Sequence, residues 1–266
     1  MSSIVRNKLI DSCKFNMNPL LMILSTALIL AAGAAKAEDF SSTDIQLLYT
    51  TKSKADAANG TGTSNGNLTT LRAEHFGTWA YGDNYLDLDL YQGKDVGGDG
   101  AGSFGADVNR QYFFIYVPRF SISKLAGLNL TNGFVKNIYA AYRMERSSYA
   151  DFRADNYGVS VDLAVPGTVF FEQDLYARKT NFDKGTKFLS RTVWLAPFNV
   201  GSVGFHFDGL ILVKSTDANK TDIFAQPDFL VDLLPKGAVQ VGMRLEYHSH
   251  QHYERTSPNA MLKVNF

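Results

Sequence analysis

The chain has 266 residues and a single cysteine, Cys13. One thiol cannot pair within its own chain, so a disulfide framework is excluded. Charge of one sign is also missing, with 26 Lys and Arg against 26 Asp and Glu. That balance leaves neither the basic footprint of a nucleic-acid binder nor an acidic disordered tail, and predicts no nucleic-acid partner. Seven prolines and 22 glycines are too few for a low-complexity or collagen-like chain. After Ala37 no apolar run is long enough to make a membrane-spanning helix.

What is present starts with an export signal. Arg6, Lys8 and Lys14 form a basic leader, Pro19 to Ala35 is apolar and uncharged, and Ala35-Lys36-Ala37 supplies a small-residue cleavage pattern. The pattern predicts a signal peptide over residues 1–37 and a mature domain over 38–266. An uncleaved anchor is the competing reading, since the apolar run is at the lower limit for a span. Cys13 precedes that run, which argues against a lipoprotein. The mature chain then holds no cysteine and gains nothing from an oxidising compartment.

The mature sequence is dominated by strict alternation. Leu86-Asp87-Leu88-Asp89-Leu90-Tyr91, Tyr157 to Val165 and Val239 to Tyr247 each place apolar side chains on one sheet face and polar ones on the other. This predicts twelve strands: 43–51, 67–77, 84–92, 111–119, 134–146, 155–165, 168–178, 188–196, 202–214, 223–232, 238–249 and 258–266. Connections after odd strands are long and polar (52–66, 93–110, 179–187, 250–257). Those after even strands are mostly short turns: 80–83, Pro166-Gly167, Pro197 to Gly201 and Pro235 to Gly237. The stretch 120–133 is the exception. Short turns gathered at one rim are the plan of an antiparallel transmembrane β-barrel, so the expected fold is all-β with twelve strands in a bacterial outer membrane.

A secreted β-sandwich or a lipocalin-like barrel also alternates, but its interior would be dry. Here the presumed inner face carries charges near mid-strand. Tyr49, Trp79, Tyr81, Tyr85, Tyr116, Tyr142, Trp194 and Tyr247 are candidates for interfacial girdles facing outer-membrane lipid. The alternation from Ala260 to the terminal Phe266 resembles the last strand of bacterial outer-membrane proteins.

Pro118-Arg119-Phe120-Ser121-Ile122-Ser123-Lys124-Leu125 closely resembles a segment of the Tsx family of nucleoside-specific channel-forming proteins, including its OmpK-type members. Asn156-Tyr157-Gly158 through Val165-Pro166-Gly167 to Leu175-Tyr176-Ala177, and the ending Ala260 to Phe266, are similar to further blocks of that family. The resemblance implies a monomeric twelve-stranded barrel whose narrow lumen passes nucleosides by diffusion, without cofactor or energy source. Ile115 and Val117 depart from it, being apolar where a close relative would carry carboxylates. The octapeptide is expected at the short-turn end of the fourth strand, as a structural mark rather than a ligand site.

With the polar face as lumen, the expected lining residues are Asp87, Asp89, Tyr91, Arg143, Glu145, Glu172, Asp174, Tyr176, Arg178, Arg191, His206, Asp208, Arg244 and Glu246. A nucleoside needs a flat partner for its base and polar groups for its ribose, which interleaved Tyr, Arg and carboxylate can supply. Another small polar solute would be served nearly as well. The bland alternative is that Arg–carboxylate pairs only fill a modest interior. Mixed signs argue against a strong ion filter.

Other motifs carry less. His248-Ser249-His250-Gln251-His252 could share a face as metal ligands but sits at a strand end, so no metal is expected. The glycine-rich stretch Asp95 to Asp107 lacks the register of a phosphate loop. Ser202, His206 and Asp208 stack along one strand instead of converging, and no nucleophile elbow occurs, so no enzyme is expected. The loops could serve a phage or toxin as receptor, or the barrel could be a general porin or a structural barrel.

Overall fold

A computed structural model describes residues 40–53, 66–93, 96, 109–128, 130, 133–215, 221–250 and 253–266. The expected export signal, the glycine-rich stretch apart from Val96, and His252 lie outside the described residues. Twelve strands account for nearly all of what is described: β1 (Phe40–Ser53), β2 (Gly66–Trp79), β3 (Gly82–Gly93), β4 (Arg110–Ser121), β5 (Val135–Ser147), β6 (Arg153–Leu163), β7 (Phe170–Thr180), β8 (Lys187–Val200), β9 (Val203–Ser215), β10 (Thr221–Asp232), β11 (Val239–His250) and β12 (Tyr253–Asn265). Each pairs antiparallel with its sequence neighbours, and β1 also pairs with β12, from Asp44 opposite Asn265 to Tyr49 opposite Ala260. The sheet is a closed barrel, so every strand has a partner on both sides and no edge remains.

Side chains obey the period of two. Along β4 the residues from Gln111 to Ser121 are buried at every second position, and β7 repeats the pattern from Glu172 to Arg178. The buried set is largely polar and charged, whereas Leu47, Leu175, Phe207, Phe229 and Met243 are exposed on the other face. This inverts the usual soluble arrangement and makes the outer wall a surface for hydrocarbon, as in a transmembrane barrel. Aromatic contacts lie along that wall: toward strand ends Trp79 meets Phe120 edge-on at 5.9 Å and Phe198 stacks on Phe205 at 5.5 Å, and in mid-strand Tyr142 lies 5.1 Å from Tyr157. Tyr85 departs from the expected girdle. It occupies the same face as Asp83 and Asp87, and its hydroxyl donates to Glu74 in the lumen at 2.6 Å.

The short turns do gather at one rim, and one of them is tightened by Gly201 at φ 63° between β8 and β9. The long exception on that rim holds a single-turn helix, α1 (Ile122–Leu125), capped by the Ser121 hydroxyl accepting from the Lys124 N–H. Two expected boundaries are corrected. β8 continues through Pro197 to Val200, and β12 begins at Tyr253 and carries Pro258, so the expected long loop 250–257 shrinks to the link 251–252. Of the four strand prolines only Pro197 is expected in a turn, and each of the four sits where one seam is open. Pairing of β7 with β8 stops at Leu195, and pairing of β1 with β12 starts only at Ala260. The β10–β11 register skips Pro227, and the β4–β5 register skips Pro118. A residue without an N–H is tolerated where the ladder does not ask for one.

The outer wall yields a direct test. Leu175 lies mid-strand on β7 and is 47% exposed. In lipid, Leu175→Arg is expected to cost about 2–4 kcal/mol, read by urea unfolding from vesicles. In a water-exposed barrel the same change would stay within about 0.5 kcal/mol.

Candidate solute pathway

All fourteen expected lining residues occupy inward positions of their strands. His206, Asp208 and Glu246 are half-buried and the other eleven are buried. The lumen holds them in a few ion-pair clusters that follow from strand register. Arg119 on β4 lies directly opposite Asp83 on β3, and the two close a fork at 2.6 and 2.7 Å. Arg244 on β11 lies opposite Asp228 on β10 and does the same at 2.7 Å twice. Arg72 forks onto Asp87 at 2.9 and 2.5 Å and lies 3.4 Å from Glu74 and 3.1 Å from Asp89. A fork fixes the guanidinium plane as well as its position.

The clusters then reach beyond neighbouring strands. Arg119 also donates to Ser160, Asp162 and Glu172, crossing from β4 to β6 and β7. Glu172 is shared with Arg191, which bonds Asp174 at 2.8 Å. Glu145 accepts from Arg143 at 2.7 Å and from Arg178 at 2.9 Å. Tyr91 and Tyr176 donate to Asp89 and Asp174, each two residues away on its own strand. Tyr91, Tyr176, Arg178 and Asp208 thus have separate partners: Asp89, Asp174, Glu145 and the Ala196 N–H.

A cavity of about 650 Å³ opens at the short-turn rim and runs to the mid-barrel arginines. Its two sides differ. Val117, Phe170, Val193, Leu195 and Leu210 make an apolar wall, faced by Asp44, Gln46, Arg72, Glu74 and Arg244 on β1, β2 and β11. Between them Arg119 places its guanidinium 4.2 Å from the Tyr139 ring centre and 6.0 Å from that of Phe170. Val117 and Ile115, the departures from the resembled family, face inward and are buried. A flat solute of this volume range could lay one face on the apolar wall and turn its hydroxyls to the charged one.

Sequence reasoning missed the residues that organise this cavity. Arg119, 3% exposed, was placed within a structural motif, although its phase with Ile115 and Val117 already put it on the inner face. Glu74, Asp83, Tyr85 and Asp162 could have been found by the same count along their strands. Asp44 and Lys263, 3.1 Å apart, span the closing seam, which no local pattern reveals. Ser202 lies in the exposed turn before β9, while His206 Nε2 is 3.0 Å from Asp232 and Nδ1 is 4.0 Å from Asp208. His248 turns inward onto Asp222 at 3.0 Å. Among the described residues no group of acidic, His or Cys side chains is arranged to hold a metal.

No family model and no curated protein matches this sequence. Solved structures do show likeness. A KdgM porin in complex with disordered oligogalacturonate aligns with 85% of this chain and 99% of its own, at 10% identity and a TM-score of 0.46. A KdgM porin without that ligand gives the same coverage, 8% identity and 0.48. A bacterial polysaccharide outer membrane secretin covers 87% of this chain and 99% of its own, at 9% identity and 0.42.

Arg119→Ala leaves Asp83, Asp162 and Glu172 without their common partner. It is expected to cost about 3–5 kcal/mol in urea unfolding, since a buried charge then lacks compensation. Arg119→Ala with Glu172→Gln should recover part of that loss, and the double-mutant cycle measures the coupling.

Proposed function

We propose that the chain is an outer-membrane channel, not an enzyme, through which small polar solutes diffuse down their gradient, and that nucleosides are among them. The observation that carries the reading is the two-sided cavity inside a closed barrel with an apolar exterior. A purine or pyrimidine has the shape for the Phe170 side and the Arg119 plane, where stacking on an aromatic is worth about 1–3 kcal/mol. The ribose hydroxyls would meet carboxylates and guanidiniums already fixed by their pairs, at little ordering cost. Weak successive contacts suit a channel, which must bind well enough to admit a solute and loosely enough to release it. The inward Ile115 and Val117 narrow the claim to solutes that accept an apolar surface. Residues 38–266 would be the exported barrel after removal of residues 1–37, acting as a monomer with lipid around it.

Single-channel conductance of the purified mature chain in a planar bilayer tests this, with adenosine, thymidine and glucose titrated in turn. Saturable block by nucleosides and not by glucose is expected, with Phe170→Ala weakening the block about tenfold. Conductance without nucleoside block would reduce the protein to a general porin. A barrel that never conducts would remove the channel reading.

A further inference from the structure

The long connection on the short-turn rim, between β4 and β5, takes no part in lining the lumen cavity. Its backbone is tied down: the Leu128 N–H donates to the Ser123 carbonyl at 2.8 Å, and the Ser123 hydroxyl accepts from the Ile138 N–H at 3.1 Å. Ile122, Leu125, Leu128 and Phe134 are nevertheless 41 to 63% exposed. They extend the apolar outer wall, because Phe120 at the end of β4 is exposed on that wall against Trp79. A fixed connection that exposes four large apolar side chains beside a lipid-facing wall suits a membrane interface.

A second, independent observation concerns charge. Beside these side chains lies a cavity of about 240 Å³, lined by Lys124 on α1 and Lys136 on β5. Among the described residues no carboxylate lines it. A β-bulge brings Lys136 there: Val135 pairs with Leu163 and Asn137 with Asp162, so Lys136 is the extra residue of its strand. Asn137 adds a third donor. Its amide oxygen accepts from the Ser121 hydroxyl at 2.7 Å and from the Ile138 N–H at 2.9 Å, which leaves the NH2 group to the cavity that Asn137 lines. Two ammoniums and an amide NH2, with no acid between them, match the oxygens of a phosphate group.

We infer that this cavity is a headgroup site for an anionic phospholipid in the leaflet at the short-turn rim. The phosphate sits between Lys124, Lys136 and Asn137, and the acyl chains lie on the exposed apolar side chains beside it. Lysines near a membrane surface attract anionic headgroups while their stems cover apolar surface. The occupant is a lipid and not a soluble anion, because the apolar surface around the cavity continues into the wall that hydrocarbon covers. The inference depends on the barrel lying in a membrane, not on what its lumen carries.

The chain has two tryptophans, Trp79 and Trp194, so Trp194→Phe leaves the one beside Phe120 as a reporter. In vesicles, its fluorescence is quenched by phosphatidylglycerol or by phosphatidylcholine carrying brominated acyl chains. Phosphatidylglycerol is expected to bind near Trp79 about tenfold more tightly, and Lys124→Gln with Lys136→Gln to cut that preference to about twofold or less. Lys179→Gln, at the long-loop end of β7, should leave the preference unchanged, and inorganic phosphate should not displace the lipid. Equal quenching by the two lipids, as a second copy of the chain covering this face would give, overturns the site. So does a preference that the double lysine variant keeps. Displacement by inorganic phosphate would make the cavity a site for a soluble anion and overturns the lipid assignment.

Discussion

Everything in this molecule depends on the seam between β1 and β12. A sheet in hydrocarbon cannot leave N–H and C=O groups unpaired, because no water is there to bond them. Pairing the first strand with the last removes the only edges the sheet would have. It also forces an inside, and the alternating side chains must divide between lipid and lumen. The C-terminal residue takes part: the Phe266 N–H donates to the Thr43 carbonyl at 2.9 Å across the seam.

Closure brings a second constraint. Polar faces of twelve strands now confront one another in a confined interior, and their charges must be compensated there. Opposed positions on neighbouring strands provide the first partners, as for Arg119 with Asp83 and Arg244 with Asp228. Curvature provides the next, letting Arg119 reach Glu172 three strands away. These clusters brace the lumen and line its cavity, so the same side chains tie strands together and face the space inside the barrel. The apolar patch on β7 to β9 interrupts the charged lining and gives the cavity its two-sided character.

Proline shows how local preference yields to the ladder. Pro118, Pro197, Pro227 and Pro258 all lie within strands, each at a stretch where one neighbouring strand is out of register or absent. As a turn marker Pro197 misleads at β8. As marks of an interrupted seam all four are consistent with the physics of a missing N–H. Tyr85 is a comparable case: an aromatic near a strand end suits a membrane interface, but its phase with Asp83 and Asp87 and its bond to Glu74 make it a lumen residue.

The sequence by itself determined the twelve alternating segments, the rim that gathers the short turns and the inward phase of residues such as Asp87, Glu172 and Arg244. Those properties are local, because the period of two is written along each strand. Only the tertiary structure decided which carboxylate each arginine takes and the joining of Asp44 to Lys263 across the seam. Partnership depends on register, strand tilt and curvature, which arise when all twelve strands close on one another and appear in no single segment.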